Sequence, residues 1–449
     1  MKFIETLKNV WKIEELRNRI MVTLGLLLVY RFGAQVVLPG IDASRLAEFS
    51  GKFDAGGIGG LLNAFTGGAF ANASVFALGI MPYISASIVV QLMQIAVPYL
   101  QKLQKEGESG RKKINQITRW LTIGICLIQA PSYLFGLEAL GVPSAAFILG
   151  KTPMFFVSST IILVTGCVFA MWLGEKITDK GIGNGISILI MVGIIARLPA
   201  AFIQNAANRL EGNNVMLILF EIVIWFAIIL ASILLVLAVR KIAVQYARRT
   251  ASGSYEKNVM AGSRQYIPLK LNASGVMPII FAQAIMFVPS LIGGSSFLKE
   301  TATGAWMQTQ FSDIFGFWYN VVFALLIIVF TYFYTAITVP TNKMADDLKR
   351  SGGFIPGIRP GSETSEYLDK IMSQITLPGS IFLALIAVFP AFIVKLMNVQ
   401  QGWALFFGGT SLIIMVGVAI DTMQQVNSYL LNRHYDGLMK TGKNRKAVV

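Results

Sequence analysis

Long apolar stretches are the feature that most constrains how this chain can fold. A helix that crosses a bilayer needs roughly 20 apolar residues, because the hydrocarbon core is about 30 Å thick. Only 14% of the 449 residues are charged, whereas about a quarter is usual in soluble proteins. We therefore predict an all-α polytopic membrane protein with ten transmembrane helices. The predicted spans cover residues 20–38, 75–97, 120–137, 154–173, 182–196, 215–239, 272–292, 318–339, 377–394 and 404–426.

The positions of the cations indicate the orientation of the spans. If the N-terminus is inside, 30 of the 38 lysines and arginines fall in inner segments and 7 in outer segments, while Arg31 lies within the first span. Cytoplasmic segments of membrane proteins carry such an excess of cations. Both termini are therefore predicted to be cytoplasmic, and the net charge of +15 needs no nucleic-acid partner to explain it.

Few residues suited to catalysis or metal binding are present. Cys126 and Cys167 both lie inside apolar runs, and the single histidine, His434, lies in the polar C-terminal tail. A disulfide framework, a thiolate metal site and most acid–base chemistry are therefore not indicated. The sequence GIGNG at 181–185 opens a membrane helix with no strand before it, unlike a phosphate-binding loop. We predict no cofactor and no enzymatic activity.

A short segment flanked by glycines lies between the first two spans. In residues 56–70, Leu61, Phe65 and Ala69 recur at a spacing of four, which predicts a helix of about three turns, too short to cross a bilayer. Such a helix can enter the protein from the outer side and return. It can equally rest on the outer membrane surface as an amphipathic helix, and both alternatives stay open.

Polar side chains occur at positions within spans where contact with lipid would be unfavourable. Groups of this kind face a bundle interior or a water-filled cavity far more often than lipid. As a set they favour an aqueous path or a separable helix contact, although each one alone is equally consistent with a simple hydrogen bond between helices. They are Ser85, Ser87, Gln91, Thr122, Gln129, Asn272, Ser274 and Gln283.

Two inner loops, 240–271 and 340–376, are long and polar, and loops of such length in a compact protein are usually functional. The first carries Arg248 and Arg249, and the second carries GFIPGIRPG at 353–361, whose prolines and glycines predict turns that present Arg359. Basic tips suit an acidic protein surface or RNA phosphate. Orientation of the chain in the membrane explains their charge equally well.

Five motifs resemble, in order and spacing, those of the bacterial SecY family of protein-translocation channel subunits. They are FALGIMPYISAS at 76–87, KEGESGR at 105–111, GIGNGIS at 181–187, GFIPGIRPG at 353–361 and FGGTSL at 407–412. The resemblance covers residues 17–431 and implies a channel of two five-helix halves in inverted pseudosymmetry. These would be residues 1–203, with spans 1 to 5 and a plug helix at about 58–70, and residues 204–431, with spans 6 to 10 and both long loops. Residues 432–449 would form a cytoplasmic tail.

The resemblance also implies roles for individual residues. The plug would include Ile58, Leu61, Leu62, Phe65 and Phe70. A constriction ring would consist of six isoleucines, namely Ile80, Ile84, Ile186, Ile190, Ile280 and Ile414. A lateral gate, between the second and third spans and the seventh and eighth, would include Ser87, Gln91, Thr122 and Asn272. The residues that dock partners would be Arg248, Arg249 and Arg359.

The function that this resemblance implies is a passive, gated channel in the cytoplasmic (inner) membrane of a bacterium. It would translocate unfolded secretory polypeptides and release transmembrane segments sideways into lipid. The implied partners are the small membrane subunits SecE and SecG, the SecA motor ATPase, the translating ribosome, signal sequences, unfolded polypeptide substrates and membrane lipid. A secondary transporter of a small solute is the alternative, which is disfavoured because the spans hold few ionisable groups that could couple an ion gradient.

Overall fold

The structure, a computed structural model, describes residues 11, 13–44, 46, 57–139, 147–148, 152–212, 214–246, 264–293, 306, 309–311 and 313–444. Most of these residues are helical. The helices are α1 Glu14–Gly33, α2 Gly57–Phe65, α3 Met81–Ala96, α4 Pro98–Lys105, α5 Glu108–Ala139, α6 Pro153–Lys180, α7 Gly185–Glu211, α8 Val215–Leu237, α9 Met277–Gly293, α10 Phe317–Thr338, α11 Thr341–Arg350, α12 Ser362–Met397, α13 Gln401–Ala404 and α14 Gly409–Asn444. The strands are β1 Val239–Tyr246, β2 Arg264–Lys270 and β3 Gly353–Phe354.

Each of the ten predicted spans coincides with a helix, namely α1, α3, α5, α6, α7, α8, α9, α10, α12 and α14. Among the described residues, seven helices are long and apolar enough to cross a membrane. An eighth span results if α3 and α4, which meet at an angle of 95°, are counted as one. The break between them lies at Val97 and is followed by Pro98, which has no N–H to continue the helical hydrogen bonds of α3.

Most helices start or end several residues away from the predicted bounds, and the second and fifth spans show the physical reasons or consequences most clearly. The second begins at Met81 rather than at residue 75, because the chain turns at Gly79, whose φ angle is +54° and lies outside the helical region. The fifth continues to Glu211 rather than ending at residue 196. Arg197 and Arg209, predicted to lie in an outer loop, are therefore part of α7.

The chain forms two compact units. The first contains Met1–Ile218, Met397–Phe406 and Ile414–Val449, and the second contains Leu219–Leu396 and Phe407–Ile413. In the first unit, α5 packs against α3 and α6, and α6 packs against α1 and α7. Most of α14, although it is the last of the described helices, belongs to this unit. The division into sequence halves at residue 203 stays a prediction.

The two long inner loops fold together in the second unit. β1 pairs antiparallel with β2, where Val239 lies opposite Lys270, and with β3, where Gln245 lies opposite Phe354. We call β1, β2, α11, β3 and the first turns of α12 the platform. Its shared apolar core consists of Ile242, Val244, Leu269, Leu348, Ile355, Leu368, Ile371, Met372 and Ile375. The helical fold that the sequence predicts therefore carries, in addition, a small sheet whose inward side chains alternate along β1.

We expect Leu368→Ala to loosen the platform, because Leu368 is 1% exposed and a cavity of this kind costs about 2–5 kcal/mol. Leu377→Ala is the matched control, since Leu377 lies on the same helix and is 51% exposed. Hydrogen exchange of β1 and β2 in the purified protein measures the effect. Equal protection of both strands in the two variants would contradict a core shared between the loops and α12.

Candidate functional site

The segment between α1 and α3 begins as a short helix and ends in tight turns. We call residues 57–71 the α2 segment. Its helix ends at Phe65 and is shorter than the predicted range of about 58–70. The helix cannot continue because Gly67 and Gly68 have φ angles of +65° and +95°, which glycine adopts readily and which terminate helices.

Side chains of the α2 segment close its own turns. The Thr66 hydroxyl accepts a hydrogen bond from the N–H of Phe70 at 3.1 Å. The side-chain oxygen of Asn63 accepts one from the N–H of Ala71 at 3.0 Å. Both donors are buried, so these contacts supply hydrogen bonds that water would otherwise have to provide.

The second half of the α2 segment is buried within the first unit. Every residue from Asn63 to Ala71 is buried, whereas an amphipathic helix that rests on a membrane surface would leave one face exposed. This burial favours the alternative in which the segment enters the protein. Leu62 is half-buried and Phe65 and Phe70 are buried. The side chains of Ile58 and Leu61 lie outside the described residues.

The α2 segment crosses α7 with backbone against backbone. A Cβ atom placed on Gly193 of α7 would lie 2.5 Å from the carbonyl oxygen of Phe65. A Cβ atom placed on Gly67 would lie 2.9 Å from Cα of Gly193. Only glycine fits at both positions without a shift of the backbone, so the close crossing depends on these two residues.

Two side chains from other helices hold carbonyl groups of the α2 segment. Nη1 of Arg31, on α1, donates a hydrogen bond to the Gly67 carbonyl at 3.1 Å. The hydroxyl of Tyr133, on α5, donates one to the Phe70 carbonyl at 2.7 Å, and the two rings meet edge to face with centroids 4.9 Å apart. The sequence identified Arg31 only as a charge within a span, and Tyr133 carries no signal that separates it from other tyrosines of membrane helices.

The six isoleucines predicted for a constriction ring lie on or directly before four helices, three of them in the first unit and one in the second. The buried ones are Ile80, Ile190 and Ile414, and the half-buried ones are Ile84, Ile186 and Ile280. Ile186 lies against α6, because a Cβ atom on Gly174 would be 2.8 Å from its Cγ1. That the six meet at one constriction stays a prediction.

The polar residues predicted for a lateral gate make their described hydrogen bonds within their own segments. In α3, Nε2 of Gln91 donates to the hydroxyl of Ser87 at 3.2 Å. In α5, the buried hydroxyl of Thr122 donates to the carbonyl one turn earlier at 2.7 Å. The hydroxyl of Ser274 donates to Oδ1 of Asn272 at 3.2 Å. Because these bonds are local, a helix contact that such residues line can separate without breaking them.

Arg359 lies in the turn that follows β3, between Gly357 and Gly361, whose φ angles are +86° and +118°. Its side chain is 88% exposed and pairs with Glu363 at 3.8 Å. An exposed pair of this length contributes little stability and leaves the guanidinium accessible to a partner. Arg248 and Arg249 lie outside the described residues.

Residues that could hold a metal are few. Among the parts of the chain that the structure describes, no group of three or more His, Cys, Asp or Glu side chains is placed to bind a metal ion. Cys126 and Cys167 are buried free thiols. Two thiols supply only half of the four ligands of a structural zinc site.

Comparison with known proteins identifies the family. A family model of SecY matches residues 74–423. The protein translocase subunit SecY of Halalkalibacterium halodurans is 41% identical over 443 residues, which cover 97% of this chain and 99% of that protein.

Two solved structures share the fold at 16% identity, and each comparison covers 92% of both chains. One is a SecY protein whose plug domain stabilises the closed state of the translocation channel and maintains a membrane seal, with a TM-score of 0.60. The other is Sec61 in a canine ribosome–channel complex from the endoplasmic reticulum, with a TM-score of 0.54. On its sequence and its fold, this chain belongs to the SecY family.

Proposed function

We propose that this multi-pass membrane protein is the channel-forming subunit of a bacterial protein translocase. It passes unfolded secretory polypeptides across the cytoplasmic membrane and releases transmembrane segments sideways into lipid. The observation that carries the proposal is the α2 segment, a piece of chain too short to span a bilayer yet buried inside a helical unit. A short segment that closes a pore and can be displaced suits a channel that must be closed at rest and wide when a chain passes.

The α2 segment acts as the plug in this proposal. Two kinds of contact hold the segment in the first unit. Phe70 and Ala71 pack in its apolar core, and Arg31 and Tyr133 donate hydrogen bonds to the segment. The neutral bond from Tyr133 contributes about 0.5–1.5 kcal/mol net, and the bond from the charged Arg31 guanidinium about 1.5–3 kcal/mol. These two bonds hold the segment at rest, and a passing chain can displace it because together they contribute only a few kcal/mol.

The six isoleucines form the constriction of the channel in this proposal. Branched apolar side chains offer no hydrogen bond to water or ions, so a narrow ring of them loses its water when empty. The same side chains yield around any passing residue, since they make no directional contacts with it. The burial of Ile80, Ile190 and Ile414 is compatible with a closed ring.

The lateral gate admits signal sequences. A signal sequence with about 10 apolar residues gains roughly 25 cal/mol per Å² of apolar surface that it removes from water. This gain offsets the packing between the gate helices, which is broken when they separate. The local hydrogen bonds of Ser87, Gln91 and Thr122 survive that separation. Polar chain then crosses the membrane, and apolar segments leave sideways into lipid.

The platform is the docking site for partners in the cytoplasm. Its exposed Arg359 suits the acidic surface of the SecA motor ATPase or the RNA phosphate of a translating ribosome. SecE and SecG complete the membrane complex in this proposal. The chain itself performs no covalent chemistry, so the drive comes from these partners or from the membrane potential, worth about 2.3 kcal/mol per charge per 100 mV.

Arrested secretory chains test the proposed function directly. A photo-crosslinking amino acid in place of Ile190 or Ile84 is expected to capture a translocating chain stalled in the membrane. The same amino acid in place of Ile195, on α7 and 43% exposed, is the control and should capture lipid instead. Absence of capture at both ring positions, together with saturable uptake of a small solute, would identify a transporter rather than a channel for polypeptides.

Tyr133→Phe removes one hydroxyl and keeps the ring that packs on Phe70. Loss of a hydrogen bond worth about 1 kcal/mol is expected to raise the open population, and with it the resting ion conductance in planar bilayers, roughly fivefold. Ser132→Ala is the control, because that hydroxyl bonds, within the residues that the structure describes, to Ile128 of its own helix. Equal conductance of the two variants would show that Tyr133 does not hold the plug.

Charge reversal at Arg359 tests the docking role. We expect Arg359→Glu to slow SecA-driven export several-fold without loss of folded protein, because the ion pair of Arg359 with Glu363 is exposed and weak. Lys395→Glu makes the same charge change at the opposite end of α12 and should leave export unchanged. Export at the wild-type rate by the Arg359 variant would refute docking through this turn.

A further inference from the structure

The turn between α6 and α7 has backbone N–H groups that side chains of distant helices satisfy. The hydroxyl of Thr23, on α1, accepts a hydrogen bond from the N–H of Ile182 at 3.1 Å. The side-chain oxygen of Gln425, on α14, accepts one from the N–H of Gly183 at 2.9 Å. The turn is therefore tied to the first and to the last of the predicted spans at once.

Two more N–H groups at the start of α7 have partners close by in the sequence. The hydroxyl of Thr178, in the last turns of α6, accepts from the N–H of Gly185 at 2.9 Å. The side-chain oxygen of Asn184 accepts from the N–H of Ser187 at 3.4 Å, as a helix N-cap does. These N–H groups of the GIGNG sequence and of Ser187 therefore donate to acceptors within the protein.

The backbone conformation of the turn and the close contacts of its glycines also fix its position. Gly183 has a φ angle of +77°, which favours glycine, and a Cβ atom there would lie 2.8 Å from Ile188 and 3.0 Å from Thr422 of α14. A Cβ atom on Gly181 would meet the Thr23 hydroxyl, and one on Gly185 would meet the Gly174 carbonyl. No side chain fits at these glycines, so α1, α6 and α14 approach the turn more closely than any other residue would allow.

We call the turn at Gly181–Gly185, with the parts of α1, α6 and α14 that contact it, the junction. Apolar packing and one cation also stabilise it. Leu16 of α1 and Ile182 of the turn are buried together. Their partly buried neighbours are Ile13, Ile20, Val426, Tyr429 and Leu430. The guanidinium of Arg19 lies over the Tyr429 ring, 5.3 Å from its centroid, so α1 and α14 also attract each other directly.

We propose that Thr23 and Gln425 are positioning residues that fix the start of α7, and with it the two ring isoleucines that α7 carries, in the resting channel. Ile186 follows Gly185 directly, and Ile190 lies about one turn further along α7. Gln425 lies on the helix that carries Ile414, about three turns away. The hydrogen bond from Gly183 to Gln425 therefore joins two helices of the proposed ring at their shared junction.

This inference rests on the proposed function, because it takes the isoleucines as the seal. In this proposal, Thr23 and Gln425 keep the resting ion conductance low although neither contacts the translocating chain. Loss of either acceptor frees the turn, lets the start of α7 move, and opens the ring without altering any ring residue. The side-chain oxygens of Thr23 and Gln425 accept the hydrogen bonds of the turn. A variant that keeps an acceptor oxygen at the same position should therefore behave as the wild type does.

The test compares matched variants of the full-length chain, purified with the subunits that accompany it. Gln425→Leu and Thr23→Val remove the acceptors, while Gln425→Glu and Thr23→Ser keep one. Gln424→Leu and Thr165→Val are controls. Gln424 is exposed on α14 as Gln425 is, but the bond from the turn goes to Gln425, and the Thr165 hydroxyl bonds, within the described part of the chain, to Ile161 of its own helix. Hydrogen exchange of residues 178–188 and resting conductance in planar bilayers are measured for each.

Loss of either acceptor is expected to speed exchange in the turn roughly three- to tenfold and to raise the resting conductance several-fold, while the conservative variants and the controls match the wild type. Unchanged exchange in Gln425→Leu or in Thr23→Val would overturn the role of that residue in the turn. Faster exchange with wild-type conductance would overturn its positioning role, and so would leakage by Gln425→Glu equal to that of Gln425→Leu. Hydrogen exchange does not depend on the transported substrate, so a failure of chain capture at Ile190 and Ile84 would reject the proposed function separately.

Discussion

The close backbone crossing of the α2 segment and α7 is the constraint on which the proposed channel depends. Gly193 and Gly67 leave no room for a side chain between the two, so the segment lies deep in the first unit although it is short. Burial at that depth requires partners for its carbonyl groups. Arg31 and Tyr133 provide two of them from α1 and α5, which connects the state of the segment to the positions of both helices.

The α2 segment and the docking platform belong to different units in the proposed channel. The first unit holds the α2 segment and the junction at Gly181–Gly185, where α1, α6, α7 and α14 meet. In the second unit, the two long loops fold into the platform around one apolar core. This core holds in place the turn that carries the exposed Arg359. Sealing and docking therefore depend on separate groups of contacts, and substitutions can impair one without the other.

The helices could be predicted from the sequence because apolar length is a local property, and all ten predicted spans coincide with helices. The platform could not, because the pairing of Gln245 with Phe354 joins two stretches that read separately as polar loops. The early end of α2 was missed because the angles at Gly67 and Gly68 depend on the crossing with α7. Tyr133 and Gln425 carried no signal, since their roles arise from distant carbonyl and N–H groups that only the fold brings near.

The α2 segment, in our proposal, seals the resting channel and leaves when a chain enters. Ala69 is fully buried, so a thiol in Ala69→Cys, with Cys126 and Cys167 replaced by serine, reports departure of the segment. Its reaction rate with a membrane-impermeant maleimide is measured with and without an arrested secretory chain. We expect a thiol that is unreactive at rest and reactive when the channel is occupied. A thiol that stays unreactive in the occupied channel, or reacts equally in both states, would contradict the sealing role.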